Sequence, residues 1–234
     1  MGVSRETWAE IRGGVRDSAL VGLGVVPLGL AFGLLMTQSG FAWWWTPIFS
    51  TVIYAGSMEF LALSMVTAGV GPLSAAVTGF MVNFRHIFYG LTFPRGLIRS
   101  RAGRAYSTYA LTDECYAIAS ATQPRSGVRV LTIEVFCQLL WVLPGIVGAL
   151  AGRAIPPEIK GMEFALTALF VVLAYESFQA SRDLSAVLLA AGIGALAGLV
   201  APAQMLMVAL TAYFVVLIVR FSLPAVDERL RWEV

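Results

Sequence analysis

Long apolar runs alternate with short polar or glycine–proline punctuation along almost the whole chain. The apolar blocks cover residues 19–36, 46–67, 72–93, 105–121, 130–151, 163–181, 184–200 and 203–219. Gly69-Val70-Gly71-Pro72, Pro94, Pro124, Pro156-Pro157 and Pro202 punctuate them. A helix needs about 20 such residues to cross roughly 30 Å of hydrocarbon. The pattern predicts an all-α, polytopic transmembrane helix bundle of about 6–8 membrane segments. No linker or low-complexity tract interrupts it, so residues 1–234 are expected to form a single integral membrane domain.

Two blocks depart from plain spans. Residues 46–67 carry Tyr54-Ala55-Gly56-Ser57-Met58-Glu59, small residues and a carboxylate at mid-block, and residues 105–121 are short and hold Asp113-Glu114. Short or interrupted apolar segments point to broken helices beside a transport site, so both are expected to be broken or re-entrant. The arginines support this. Cytoplasmic loops are enriched in Lys and Arg, and basic groups lie at Arg5, Arg12 and Arg16, at Arg95, Arg99, Arg101 and Arg104, at Arg125 and Arg129, at Arg182, and at Arg220, Arg229 and Arg231. If every block crosses, the 94–105 loop alone faces outward; re-entrant second and fourth blocks return it inside. Either version puts the N- and C-termini in the cytoplasm. Trp43-Trp44-Trp45 precede the second block, where an aromatic belt anchors a span.

Composition narrows the function classes. The 234 residues are 58% hydrophobic and 13% charged, about half the charge of a soluble domain. A chain of this length has no room for a soluble catalytic domain besides its spans. The net charge of +2 points to no nucleic-acid partner. Cys115 and Cys137 have neither CxxC nor Cys/His spacing and read as buried free thiols, so no metal is expected. The first block follows three arginines, is too long for a signal-peptide core, and reads as a retained first helix.

Ionisable side chains in hydrocarbon are costly, so those present usually pair or line a solute path. The candidates are Glu59, Arg85, His86, Asp113, Glu114, Glu134 and Glu176. Glu134 and Glu176 lie toward block ends, where a charge can snorkel to the interface, and are ranked lower. Glu59 follows Ala55-Gly56-Ser57, residues that let a helix break and expose backbone N–H groups to an anion. It could take a proton or a substrate ammonium, or pair with Arg85 in a packing contact. In Asn83-Phe84-Arg85-His86-Ile87-Phe88-Tyr89-Gly90, helical spacing sets Asn83 with His86 and Arg85 with Tyr89. Arg85 could neutralise Asp113, Glu114 or Glu59, or bind a carboxylate through its planar fork. His86 is either a hydrogen-bonded structural group or a proton carrier. Asp113 and Glu114, being adjacent, point to different sides of a helix and so to different jobs.

Three segments together resemble the AzlC family, the large subunit of bacterial branched-chain amino acid exporters. They are Tyr54-Ala55-Gly56-Ser57-Met58-Glu59-Phe60, Arg85-His86-Ile87-Phe88-Tyr89-Gly90 and Leu111-Thr112-Asp113-Glu114. The resemblance is strongest from about Pro27 to Ala117. It implies export of leucine, isoleucine, valine and methionine on the proton gradient, from the bacterial cytoplasmic membrane, with a separate small AzlD-type membrane subunit. Many relatives carry glutamine where this chain has Glu59. No G-x-x-x-x-G-K-[ST] phosphate loop is present, so no ATP and no cofactor are expected.

The leading reading is therefore a secondary exporter of apolar zwitterions. Tyr54, Gly56, Ser57, Glu59, Asn83, Arg85 and Tyr89 are the candidate substrate contacts, with Phe60, Phe84 and Phe88 as apolar wall. Glu59, His86, Asp113 and Glu114 are the candidates for proton coupling. The alternatives are an exporter or channel for another small solute, and an assembly subunit for a transporting partner. An intramembrane enzyme is disfavoured, because H-E-x-x-H and G-x-S-x-G are both absent and the chain has a single histidine.

Overall fold

The structure, a computed structural model, describes residues 4–154, 171, 174–175, 178–179, 182–223 and 227–228. Glu176, Pro156-Pro157 and most of the 163–181 block lie outside the described residues. Every regular element among the described residues is a helix. Besides two short 3-10 turns, Arg95–Leu97 and Pro202–Gln204, these are in chain order α1 (Arg5–Gln38), α2 (Trp45–Val52), α3 (Gly56–Thr67), α4 (Pro72–Asn83), α5 (Arg85–Thr92), α6 (Arg101–Tyr109), α7 (Asp113–Thr122), α8 (Gly127–Gly152), α9 (Leu184–Val200) and α10 (Met205–Ser222). Contacts divide the chain into two compact units, residues 1–63 with 84–163 and residues 64–83 with 164–234.

In the first unit α1 packs along α8. The seam is glycine against backbone. A Cβ on Gly29 would stand 2.8 Å from the Trp141 carbonyl, and one on Gly33 would run into the Gly145 carbonyl and lie 2.6 Å from the Ala149 nitrogen. A Cβ on Gly148 would meet the backbone of Leu30. Gly29 and Gly33 form a G-x-x-x-G pair, and Gly148 and Gly152 another; small residues at this spacing let helices approach backbone to backbone. The starts of α1 and α8 are both capped. Ser126 accepts from the Arg129 N–H at 3.1 Å, and Ser4 from the Thr7 N–H at 3.2 Å. Arg129 reaches across to Asp17 with two bonds of 2.7 and 3.0 Å, and Ser126 donates to Glu10 at 2.6 Å. α1 bends by 71° between Ala19 and Gly24. Pro27 lies just beyond the bend; having no N–H, it frees the carbonyl four residues earlier and obstructs a straight helix.

The second and fourth apolar blocks are both interrupted. Residues 46–67 divide into α2 and α3 around Tyr54, whose φ of +42° is a left-handed conformation that an aromatic residue adopts only under strain. Its buried ring lies 5.7 Å from that of Tyr109, which helps hold it there. Residues 105–121 divide at Ala110–Thr112, and Thr112 caps α7 by accepting from the Cys115 N–H at 3.5 Å. α6 begins earlier than the apolar block, with Ser100 as its cap, so Arg101 and Arg104 are helical. The third block is also divided, at Phe84.

In the second unit α10 contacts both α4 and α9. Arg220, near the end of α10 and buried, donates to Asp183 at 2.7 Å, Asp227 at 2.6 Å and Ser185 at 3.1 Å. Asp183 also caps α9 through the N–H groups of Ser185 and Ala186. Among the described residues α8 and α10 are each long and apolar enough to cross a membrane, and α1 adds a third if its two halves count as one. The chain is a helical membrane protein.

Candidate functional site

The site in the first unit is built on the two interruptions. α3 begins at Gly56, and its first backbone bond runs from the Glu59 N–H to the Ala55 carbonyl at 2.8 Å. The N–H groups of the first turn therefore point out of the helix N-terminus without intrahelical acceptors. Gly56 and Ser57 occupy that turn.

Glu59 is fully buried. Its Oε2 accepts from Ser50 Oγ of α2 at 2.7 Å, and its Oε1 from the Trp141 indole N–H of α8 at 2.9 Å. No ion pair reaches it among the described residues; the pairing with Arg85 weighed above does not occur. Both donors are neutral, and the surroundings are aromatic. Phe32 stacks on Trp141 at 6.3 Å and meets Phe60 edge-on at 5.2 Å. Phe60, expected in a substrate wall, is packed into this core instead.

Next to Glu59 a cleft of about 350 Å³, its open mouth included, is lined by Val21 and Val25 of α1, Tyr54 and Gly56 at the first break, Glu114 of α7 and Trp141 of α8. It is narrow, with little more than room for a water unless the walls part. Glu114 is the one ionisable carboxyl on its wall, and it makes no ion pair among the described residues.

The adjacent acid does different work. Arg85, at the start of α5, grips Asp113 with its planar fork, Nε to Oδ1 at 2.9 Å and a terminal nitrogen to Oδ2 at 2.5 Å. His86 Nε2 stands 3.9 Å from the same carboxylate. Tyr89 stacks face to face on Tyr116 at 4.4 Å and meets His86 edge-on at 5.5 Å. Both members of the ion pair remain 39% exposed. Of the remaining candidates, Asn83 closes α4 and belongs to the second unit, while Phe88 is exposed and meets Phe84 edge-on.

The structure thus gathers Tyr54, Gly56 and Glu114 on one cleft with Glu59 behind its Trp141 wall, and Arg85, His86, Tyr89 and Asp113 in a second cluster. The two meet at the N-terminus of α7, where Asp113 and Glu114 are neighbours. Sequence reasoning missed Ser50 and Trp141, and it misplaced Glu134. That residue is fully buried rather than snorkelling, because α8 starts seven residues earlier, about 10 Å along the axis. The available signal was Glu134, Gln138 and Trp141 at helical spacing within one apolar block. Cys115 and Cys137 are free and buried, as expected.

A helical membrane protein with interrupted helices around a cleft of this kind is built like a transporter. The family model for the AzlC protein matches residues 21–155, and the chain belongs to the AzlC family. It is 32% identical over 196 residues to the inner membrane protein YgaZ of Escherichia coli, covering 79% of each chain. It is 28% identical over 181 residues to the branched-chain amino acid transport protein AzlC of Bacillus subtilis, covering 76% of this chain and 71% of that one. An uncharacterized membrane protein of Helicobacter pylori is 28% identical over 165 residues, 69% of this chain and 72% of that one. No solved structure matches the chain. The protein is a membrane transporter of the AzlC type, and not an enzyme.

Proposed function

We propose that the chain is a secondary exporter of leucine, isoleucine and valine, with methionine as a further substrate. It works with a small AzlD-type subunit in the bacterial cytoplasmic membrane and exchanges substrate for protons. Both termini lie in the cytoplasm, and the 46–67 and 105–121 segments enter the membrane without crossing it as single helices. The observation that carries this reading is a narrow cleft at the α2–α3 break that joins a helix N-terminus, an unpaired carboxyl and an apolar wall.

A zwitterionic apolar amino acid fits those three features. Its carboxylate takes the exposed N–H groups around Gly56 and Ser57. Its ammonium takes Glu114, and its side chain lies against Val21, Val25 and the Tyr54 ring. Glu59 carries the coupled proton, since a bare charge in hydrocarbon resists movement and a neutral acid does not. Arg85, His86, Tyr89 and Asp113 act one step away by fixing where α7, and hence Glu114, begins.

The test is leucine movement in proteoliposomes that hold the chain alone or together with an AzlD-type subunit. An imposed pH gradient is expected to drive leucine, isoleucine and valine, but not lysine or glutamate. Glu114→Gln is expected to raise KM for leucine by about 10- to 150-fold, the value of a hydrogen bond between charged groups. Transport of another solute class, or a leucine flux indifferent to the gradient, refutes the assignment.

A further inference from the structure

A second buried acid lies on the face of α8 that also carries Trp141. Glu134, Gln138 and Trp141 follow one another at four and three residues, so they share one side of the helix. Glu134 is fully buried, and its Oε1 accepts from Ser107 Oγ of α6 at 2.7 Å. Its Oε2 is buried with no hydrogen-bond partner. One turn on, the Tyr106 hydroxyl donates to Gln138 Oε1 at 2.6 Å, and Gln138 Nε2 donates to the Tyr109 hydroxyl at 2.8 Å. That hydroxyl donates in turn to the Thr51 carbonyl of α2. Side chains on one face of α8 therefore hold the last turn of α6, immediately before the break that leads to Glu114.

The titratable groups facing Glu134 are Tyr106 of α6, Cys115 of α7 and Cys137 of α8 itself. None is a cation, and no ion pair involves Glu134 among the described residues. Arg129, the nearest arginine along α8, is occupied by Asp17. A carboxylate away from water with one neutral donor and no cation is strongly disfavoured, whereas the neutral acid is tolerated. Glu59 differs, because donors satisfy both of its oxygens.

We propose that Glu134 is a second proton-binding residue of the transport cycle, holding its proton while Ser107 clasps α6 against α8. The inference rests on the proton-driven export proposed above. With α6 in place the acid is neutral. Release of the proton needs water at Oε2, and water reaches it only when α6 leaves α8. Proton binding and seating of α6 are then one event, and the seated α6 sets the position of α7 and of Glu114 at the cleft. No bond is made or broken apart from the transfer of the proton to and from water.

The experiment compares wild type with Glu134→Gln in proteoliposomes containing the AzlD-type subunit, using leucine as the probe. Glutamine keeps the shape and the acceptor for Ser107 but cannot ionise. Accumulation driven by a pH gradient is expected to fall by about tenfold, within the usual range of coupling between linked sites. Leucine–leucine exchange at equal pH on both sides is expected to persist and to lose its pH dependence. Accumulation at the wild-type level overturns the proposal, and so does a parallel loss of both activities with an unchanged pH profile. If Glu134→Gln fails to fold, Glu134→Asp keeps a carboxyl at a shorter reach. It is expected to transport with a displaced pH profile, and an undisplaced one overturns the proposal. A wild type without gradient-driven leucine movement sinks the export reading itself; a normal wild type beside an unaffected Glu134→Gln sinks only the role of Glu134.

Discussion

Replacing Trp141 with phenylalanine removes one N–H while leaving a ring to face Phe32. Glu59 then keeps Ser50 Oγ at 2.7 Å and loses the indole donor at 2.9 Å. The carboxyl is fully buried, so bulk water cannot substitute. Leaving a buried acceptor unsatisfied costs about 1–3 kcal/mol, a change of roughly 5- to 150-fold in the folding equilibrium. The smaller ring also loses some packing, and a double-mutant cycle with Glu59→Leu separates that part. Removing both partners with apolar groups of similar shape is close to neutral for the hydrogen bond. The double variant is therefore expected to be less destabilised than the sum of the single ones, by about 0.5–3 kcal/mol. The readout is unfolding of the purified protein in detergent with increasing denaturant, followed by circular dichroism. Additivity within about 0.5 kcal/mol refutes the claim that Trp141 serves Glu59.

Three further expectations use the same readout or a close variant. Gly33→Ala places a methyl against the Gly145 carbonyl and is expected to lower the thermal midpoint sharply. Gly145→Ala, whose Cβ lies at an ordinary 3.4 Å from the Thr46 methyl, is expected to be tolerated; equal effects contradict the described seam. Arg85→Gln and Asp113→Asn each break a half-exposed pair worth about 0.2–1 kcal/mol. The combined change should cost little more than either alone, and a fully additive loss argues against the pairing. Burial pushes the Asp183 carboxyl up, but hydrogen bonds from Ser185, Arg220 and the Ala186 N–H outweigh it and leave it below the usual carboxylate range. Its stabilisation is present above the ordinary aspartate value of about 4 and is lost as pH falls through the lowered folded value. Asp183→Asn should therefore flatten the acid side of the pH–stability profile, and an unchanged acid side rejects this.

Much of the helical architecture was readable because membrane helices leave a coarse signal. Length, apolarity and glycine–proline punctuation announced α8 and α10, and small residues beside a carboxylate announced the interruption at Tyr54. The two acids of α7 were readable as having separate roles because adjacent residues on a helix diverge. Choosing among Asp113, Glu114 and Glu59 as the partner of Arg85 was not possible, since any of the three satisfied charge. Only the positions of α5 and α7 decide it. Trp141 was hidden for a different reason. An indole in an apolar block looks like packing, and its N–H acquires meaning only once Glu59 is seen 82 residues away in sequence and 2.9 Å away in space. Glu134 was discounted by a rule suited to long basic side chains, whose reach a glutamate lacks. The glycine seam was written in plain spacing, yet without the partner helix nothing told those glycines apart from ones facing open space, such as Gly24.

That seam divides the first unit into a post and its leaves. Where two helices meet with no side chain between them, sliding or turning either brings a neighbouring side chain against the other's backbone, so α1 and α8 are held as one piece along Gly29–Gly33 and Gly145–Gly148. Of the short helices, α7 packs on α8 through Cys115, Ile118, Ala119, Val130, Ile133 and Cys137, while α6 and α3 are tied to the post by Ser107 on Glu134 and by Trp141 on Glu59. Parting α6 from the post takes a hydroxyl away from a buried acid, and parting α3 takes an indole away from one.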